Sequence, residues 1–168
     1  RTDAGTGDQT LIAGFVVTGG ASGAKLPLLV RGLGPTLANL GVANFLLDPR
    51  LAVSPTNPAV SNDNCGGEAN IAATAAAVGA YPFASAISKD AAVVFTPESG
   101  VFTAQILGTG TTTGVALAEI YDATPAGTFD SASSPRLVNV SARAQVGTGD
   151  HILIAGFVIS GDTARTVL

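Results

Sequence analysis

The stretch "GTGDHILIAGFVISG", residues 147–161, decides how this chain is read, because "GTGDQTLIAGFVVTG" at residues 5–19 spells nearly the same strand. Eleven of the fifteen aligned positions are identical, and Val17/Ile159 and Thr18/Ser160 are conservative exchanges. Both copies, "TLIAGFVV" and "HILIAGFVI", are apolar almost throughout, as expected of a strand covered on both faces, with Gly14 and Gly156 marking a bulge or a close approach.

Around these copies the apolar runs are short, rich in β-branched residues and punctuated every few residues by Gly, Pro, Asn or Asp, which is an all-β pattern. Strands are expected near residues 9–18, 26–32, 49–54, 91–96, 100–107, 114–122, 136–141, 151–160 and 164–168. In "VFTAQILG" Phe102, Ala104 and Ile106 alternate with Val101, Thr103 and Gln105, so one face is apolar and the other meets water. One helix is expected over residues 69–78, within "EANIAATAAAVGAY", with Gly79 as its stop and a place at one end of the molecule. A short helical turn at "GLGPT" suits Pro35 at a first helical position. The expected fold is all-β, a two-layer antiparallel β-sandwich of jelly-roll or immunoglobulin-like type with one short helix.

Residues 123–135, "ATPAGTFDSASSP", read as a Pro/Ser-rich linker. It divides a sandwich unit at 1–122 from residues 136–168, which repeat the start of that unit and are expected to complete the next subunit or repeat. "TARTVL" even echoes "GAKLPLL", with Arg165 in the place of Lys25 and Leu168 in that of Leu28. A partial second copy cannot close a core of its own, because its strands expose unpaired backbone and apolar faces.

Composition narrows the function. The 168 residues are 46% apolar and 12% charged, enough for one sizeable core. A net charge of -4 and eight scattered basic residues exclude a nucleic-acid footprint, and no apolar run approaches a membrane span. The chain opens on Arg1 and holds no methionine, so it reads as processed or cut from something longer. Sparse Lys and Glu with plentiful Gly, Ala, Thr, Ser and Val suit an extracellular β-protein. Cys65 cannot pair within the chain and reads as a small core residue.

"RLVNVSARAQVGTGD", "LIAGFVISG", "LLVRGLGPTLANLGV", "SNDN", "IAATAAAVGAYPF", "SKDAAVVF" and "FTAQILGTGTTTGVALAEIYD" together resemble a tandemly repeated, largely uncharacterised β-sandwich domain of secreted and surface proteins of environmental bacteria. The resemblance implies an extracellular or cell-surface location and head-to-tail repetition, and it brings no catalytic residues. Cys65 stands where that pattern has tryptophan.

Catalysis has little to rest on. The only histidine, His151, has Gln9 as its counterpart, so the position accepts a non-titrating amide. Asn62, Asp63, Asn64 and Glu68 offer oxygens to a hard cation such as calcium, yet a turn built by Asn and Asp side chains explains the same letters, and no metal or other cofactor is expected. The glycines of "RGLGPTL" and "GTGTTTG" lack a phosphate-loop context and read as hairpin turns.

The expected function is therefore structural: a subunit of an extracellular filament, self-assembling head to tail with itself as partner, through strand complementation or tandem repetition. The assembly strand is Leu153, Ile154, Phe157, Val158 and Ile159, with Leu11, Ile12, Phe15 and Val16 as its first-copy equivalents. The alternative is a carbohydrate- or ligand-binding module of a secreted protein. It is weakened by the absence of tryptophan and the presence of only Tyr81 and Tyr121.

Overall fold

A computed structural model describes residues 1–65, 68–149 and 151–158. Two antiparallel sheets pack face to face, as the turn spacing and alternation predict. The smaller has the order β1(Thr2–Ala4), β8(Gly114–Asp122), β3(Leu28–Leu33), β6(Ala91–Phe95). The larger has the order β5(Val60–Asn62), β4(Pro49–Ser54), β7(Gly100–Gly108), β2(Leu11–Gly19), β9(Pro135–Arg143). Among the described residues one α-helix forms, α1(Ala69–Ala77), close to its expected span, and the turn at Pro35 is a 3₁₀ helix, Pro35–Leu40.

The main core follows from period-two alternation. Leu11, Ala13, Phe15 and Val17 of β2, Leu51 and Val53 of β4, and Phe102, Ala104 and Ile106 of β7 meet Leu28, Val30, Ala91, Val93 and Ala116 from the smaller sheet. Phe15 stacks on Phe102 at 5.5 Å between ring centroids, and Phe95 meets both rings edge-on. Each geometry suits the quadrupoles of the rings.

Several expectations need correction. β2 is not covered on both faces: Leu11, Ala13, Phe15 and Val17 are buried while Ile12, Gly14 and Val16 are half-buried. The strand enclosed on both faces is β3, whose six residues are all buried. Its outer face is roofed because α1 does not plug an end of the sandwich. Instead Ile71 and Ala75 pack on Leu29 and Ala92, on the outside of the smaller sheet.

The glycines of "RGLGPTL" and "GTGTTTG" do not form hairpins. Gly32 lies in β3, where a Cβ would press on Ile106, and Gly34 passes so close to the Leu46 carbonyl that any side chain would collide with it. Residues 109–113 carry the chain from β7 in the larger sheet to β8 in the smaller, so they form a corner between layers. Among the described residues, 151–158 form no strand, and the expected strand at 164–168, like Ile159, lies outside the described residues. Residues 123–134 of the expected linker join β8 to β9 and so also cross between sheets. β9 then pairs with β2, so the folded unit extends from residue 1 through Arg143 rather than ending at 122.

A buried carboxylate fixes the roof. Asp90 accepts hydrogen bonds from the Gly34 N–H at 2.7 Å, the Thr36 hydroxyl at 2.6 Å, the Thr36 N–H and the Ser88 hydroxyl. The Thr36 oxygen in turn accepts from the Ala84 N–H at 2.9 Å. One side chain thus anchors the start of the 3₁₀ helix to the edge strand β6 and to the loop before it. Asp90→Ala removes the shared acceptor and strands several buried donors, so the unfolding free energy should fall by about 3–5 kcal/mol. Urea denaturation checks this, and a loss below about 1 kcal/mol would show that the node is dispensable.

Candidate assembly site

The second copy begins where β9 ends, since Arg143 stands in the place of Arg1. Its first turn reproduces that of the first copy. The Gly5 N–H donates to the Gln9 carbonyl at 2.9 Å and the Gln9 N–H to the Thr6 carbonyl at 3.3 Å. In the second copy Gly147 donates to His151 at 2.6 Å and His151 to Thr148 at 3.2 Å. The turn needs a left-handed residue, supplied by Gly7 at φ +60° and Gly149 at φ +64°. Nearly identical letters thus make the same two backbone hydrogen bonds.

Beyond the loop the two copies part. Leu11 and Phe15 of the first-copy row are buried against the smaller sheet, and Ile12 and Val16 lie half-buried on the opposite face. Of the second-copy row, Leu153 is half-buried and Ile154 exposed, whereas Phe157 is 76% and Val158 94% exposed. Alternation matches Leu153 and Phe157 to the core-facing pair and Ile154 and Val158 to the outer pair.

The displayed segment is tethered at its start. The Arg1 nitrogen donates to the Ile154 carbonyl at 2.8 Å, and the Ile154 N–H donates back to the Arg1 carbonyl at 2.9 Å. The Thr2 hydroxyl reaches the Gln145 carbonyl at 3.3 Å. His151 Nδ1 lies 2.5 Å from Asp3 Oδ2, with the imidazole largely in water. A cleft of about 240 Å³ between the two opening loops is lined by Asp3, Gln9, Gln145, Val146, Gly147 and His151. Asp3 and His151 are partners whose repeat counterparts, Gln145 and Gln9, line the same cleft.

The oxygens named for calcium are held in turn and strand contacts. Asn62 donates to Glu68 at 3.1 Å while its own oxygen accepts from the Ala92 N–H, and Asn64 donates to Asp63 at 3.2 Å. Among the described residues no group of three or more His, Cys, Asp or Glu side chains comes together.

Two buried charges escaped the sequence reading, Asp90 and Arg31. Arg31 Nε lies 3.2 Å from Glu119 Oε2, and the guanidinium sits 4.5 Å over the Phe83 ring. The Tyr121 hydroxyl donates to Glu119 at 3.0 Å. A lone charge within the apolar run "LLVRGL" is a signal that could have found Arg31, whereas Asp90, beside Lys89 at the head of "KDAAVVF", carries no such mark. These groups surround Cys65. Burial pushes its thiol up to about 12, helped by the Asp90 carboxylate, and burial beside Glu119 raises the Tyr121 hydroxyl to about 12.

No family model, curated protein or solved structure matches the chain.

Two outcomes follow from this geometry. The exposed His151–Asp3 pair is a solvent-screened contact, so His151→Gln should change stability by less than about 0.5 kcal/mol in a denaturant titration. A larger loss would assign the pair a structural role. Cys65 and Tyr121 both ionise later in the folded chain than in the unfolded one. Their contribution to stability is therefore complete below their ordinary values of 9.0 and 10.0, and declines as pH rises toward about 12. Denaturation midpoints should fall across that window, and a flat profile would contradict the burial of these groups.

Proposed function

We propose that this chain is the structural unit of an extracellular filament in which sandwiches succeed one another head to tail, by tandem repetition or by strand complementation. The observation that carries this reading is the second copy of the opening sequence, which repeats two backbone hydrogen bonds of the first at Gly147, Thr148 and His151 but leaves its apolar row exposed. A row that is core in one place and exposed in another implies a partner for the exposed copy. Burying four such side chains contributes about 6–12 kcal/mol before ordering costs. The contact is heterologous, joining the tail of one unit to the body of the next, so repetition gives an open array rather than a closed oligomer. No catalytic group is part of this reading.

β9 runs into the second copy without a spacer, which favours a stiff junction over a flexible string. Chains carrying one, two and three copies of residues 1–142 ahead of residues 143–168 test this by small-angle scattering. The maximum dimension should lengthen in equal steps of about 30 Å or more, the width of a small domain. A dimension that grows only as the cube root of mass would contradict the filament reading.

A further inference from the structure

The surroundings of β2 define the partner that residues 153–158 fit, an inference that rests on the filament reading. β2 lies between β7 and β9. Leu11 stands opposite Ile106, Ala13 opposite Ala104 and Phe15 opposite Phe102. The Phe15 ring is stacked on Phe102 and lies 6.4 Å from Phe95 across the core. Leu153, Ala155 and Phe157 repeat these letters at the same alternation, and the turn that leads into them shares two backbone hydrogen bonds with the turn that leads into β2. The backbone bonds of Ile154 to Arg1 hold only the start of the row, leaving Phe157 and Val158 beyond the contact.

A complete second chain is a poor partner, because its own β2 fills the slot with the same letters. Exchange would cover one apolar row by uncovering another, leaving the buried area unchanged while association entropy is lost. The slot has to be empty. We propose that residues 153–158 dock as the second strand of another sandwich of this fold, between β7 and β9 of a copy whose own opening strand is not in place, with Phe157 seated on that copy's Phe102 and Phe95. The opening of one unit is thus supplied by the chain leaving the previous unit. A single strand path serves both, as β9 in one sandwich and as the opening segment of the next.

Appending a copy of residues 29–142 directly after Leu168 supplies such an empty slot to the full chain, because Leu168 stands where Leu28 does. Ile154→Cys combined with Gln105→Cys in the appended copy should form a disulfide under mild oxidation. The pair copies Ile12 opposite Gln105, and such cross-strand neighbours lie within about 4.5–5.5 Å. Chymotryptic cleavage after Phe157 should slow at least about tenfold relative to the 168-residue chain. The proposal is overturned if the cysteines at 154 and 105 stay reduced while Arg1→Cys with Ile154→Cys cross-links, or if Phe157 is cut at an unchanged rate. Two differently tagged 168-residue chains, each with Ile154→Cys and Gln105→Cys, should form no interchain disulfide when mixed; its formation would overturn the requirement for an empty slot. Elongated particles with Phe157 still freely cleaved would reject this seat and leave the filament reading standing, whereas a protected Phe157 in a compact particle would do the reverse.

Discussion

Three rings hold the two layers together. Phe15 of β2, Phe102 of β7 and Phe95 of β6 pack with centroids 5.5–6.4 Å apart, joining neighbouring strands of the larger sheet to an edge strand of the smaller one. Aromatic contacts of this kind add to the burial of large apolar surfaces, and they fix register as well, because a one-residue slip would turn every ring out of the core. Phe157 repeats Phe15 in sequence but lies exposed, with no such seat among the described residues.

The layered fold and most strands were legible because they depend on local alternation. Phe102, Ala104 and Ile106 are buried while Val101 is exposed, as period two requires. Strands β1 and β5 were not legible, since three residues carry too little periodicity to register. The glycines of "RGLGPTL" misled for a different reason. A glycine required by a tight approach, such as Gly34 against Leu46, is indistinguishable in sequence from one required by a turn. Helix α1 was recognisable by its spacing, but its position on the outer face of β3 depends on partners distant in the chain. The same distance hid Asp90 and Arg31, whose roles exist only once strands and roof loops are brought together.

The site was half legible. Repetition identified the segment and its apolar letters, and alternation matches Leu153 and Phe157 to the core-facing Leu11 and Phe15, and Ile154 and Val158 to the outer Ile12 and Val16. The structure placed β9 within the first unit. The Pro/Ser-rich stretch is consequently no boundary, because its residues cross between layers inside one sandwich. The buried Asp90 ties the roof segments at Gly34, Thr36 and Ser88 together, while the opening loops of both copies meet around Asp3 and His151.

Amide hydrogen exchange, read residue by residue in the 168-residue chain and in that chain extended by a copy of residues 29–142, tests the central claim most directly. In the 168-residue chain, residues 155–158 should exchange far faster than Ala13–Val16, despite their identical letters, because only the first copy has ladder partners on both sides. In the extended chain the two segments should be protected alike. Equal protection already present in the 168-residue chain, or fast exchange at residues 155–158 persisting in the extended chain, would contradict the assignment of the second copy to a neighbouring sandwich.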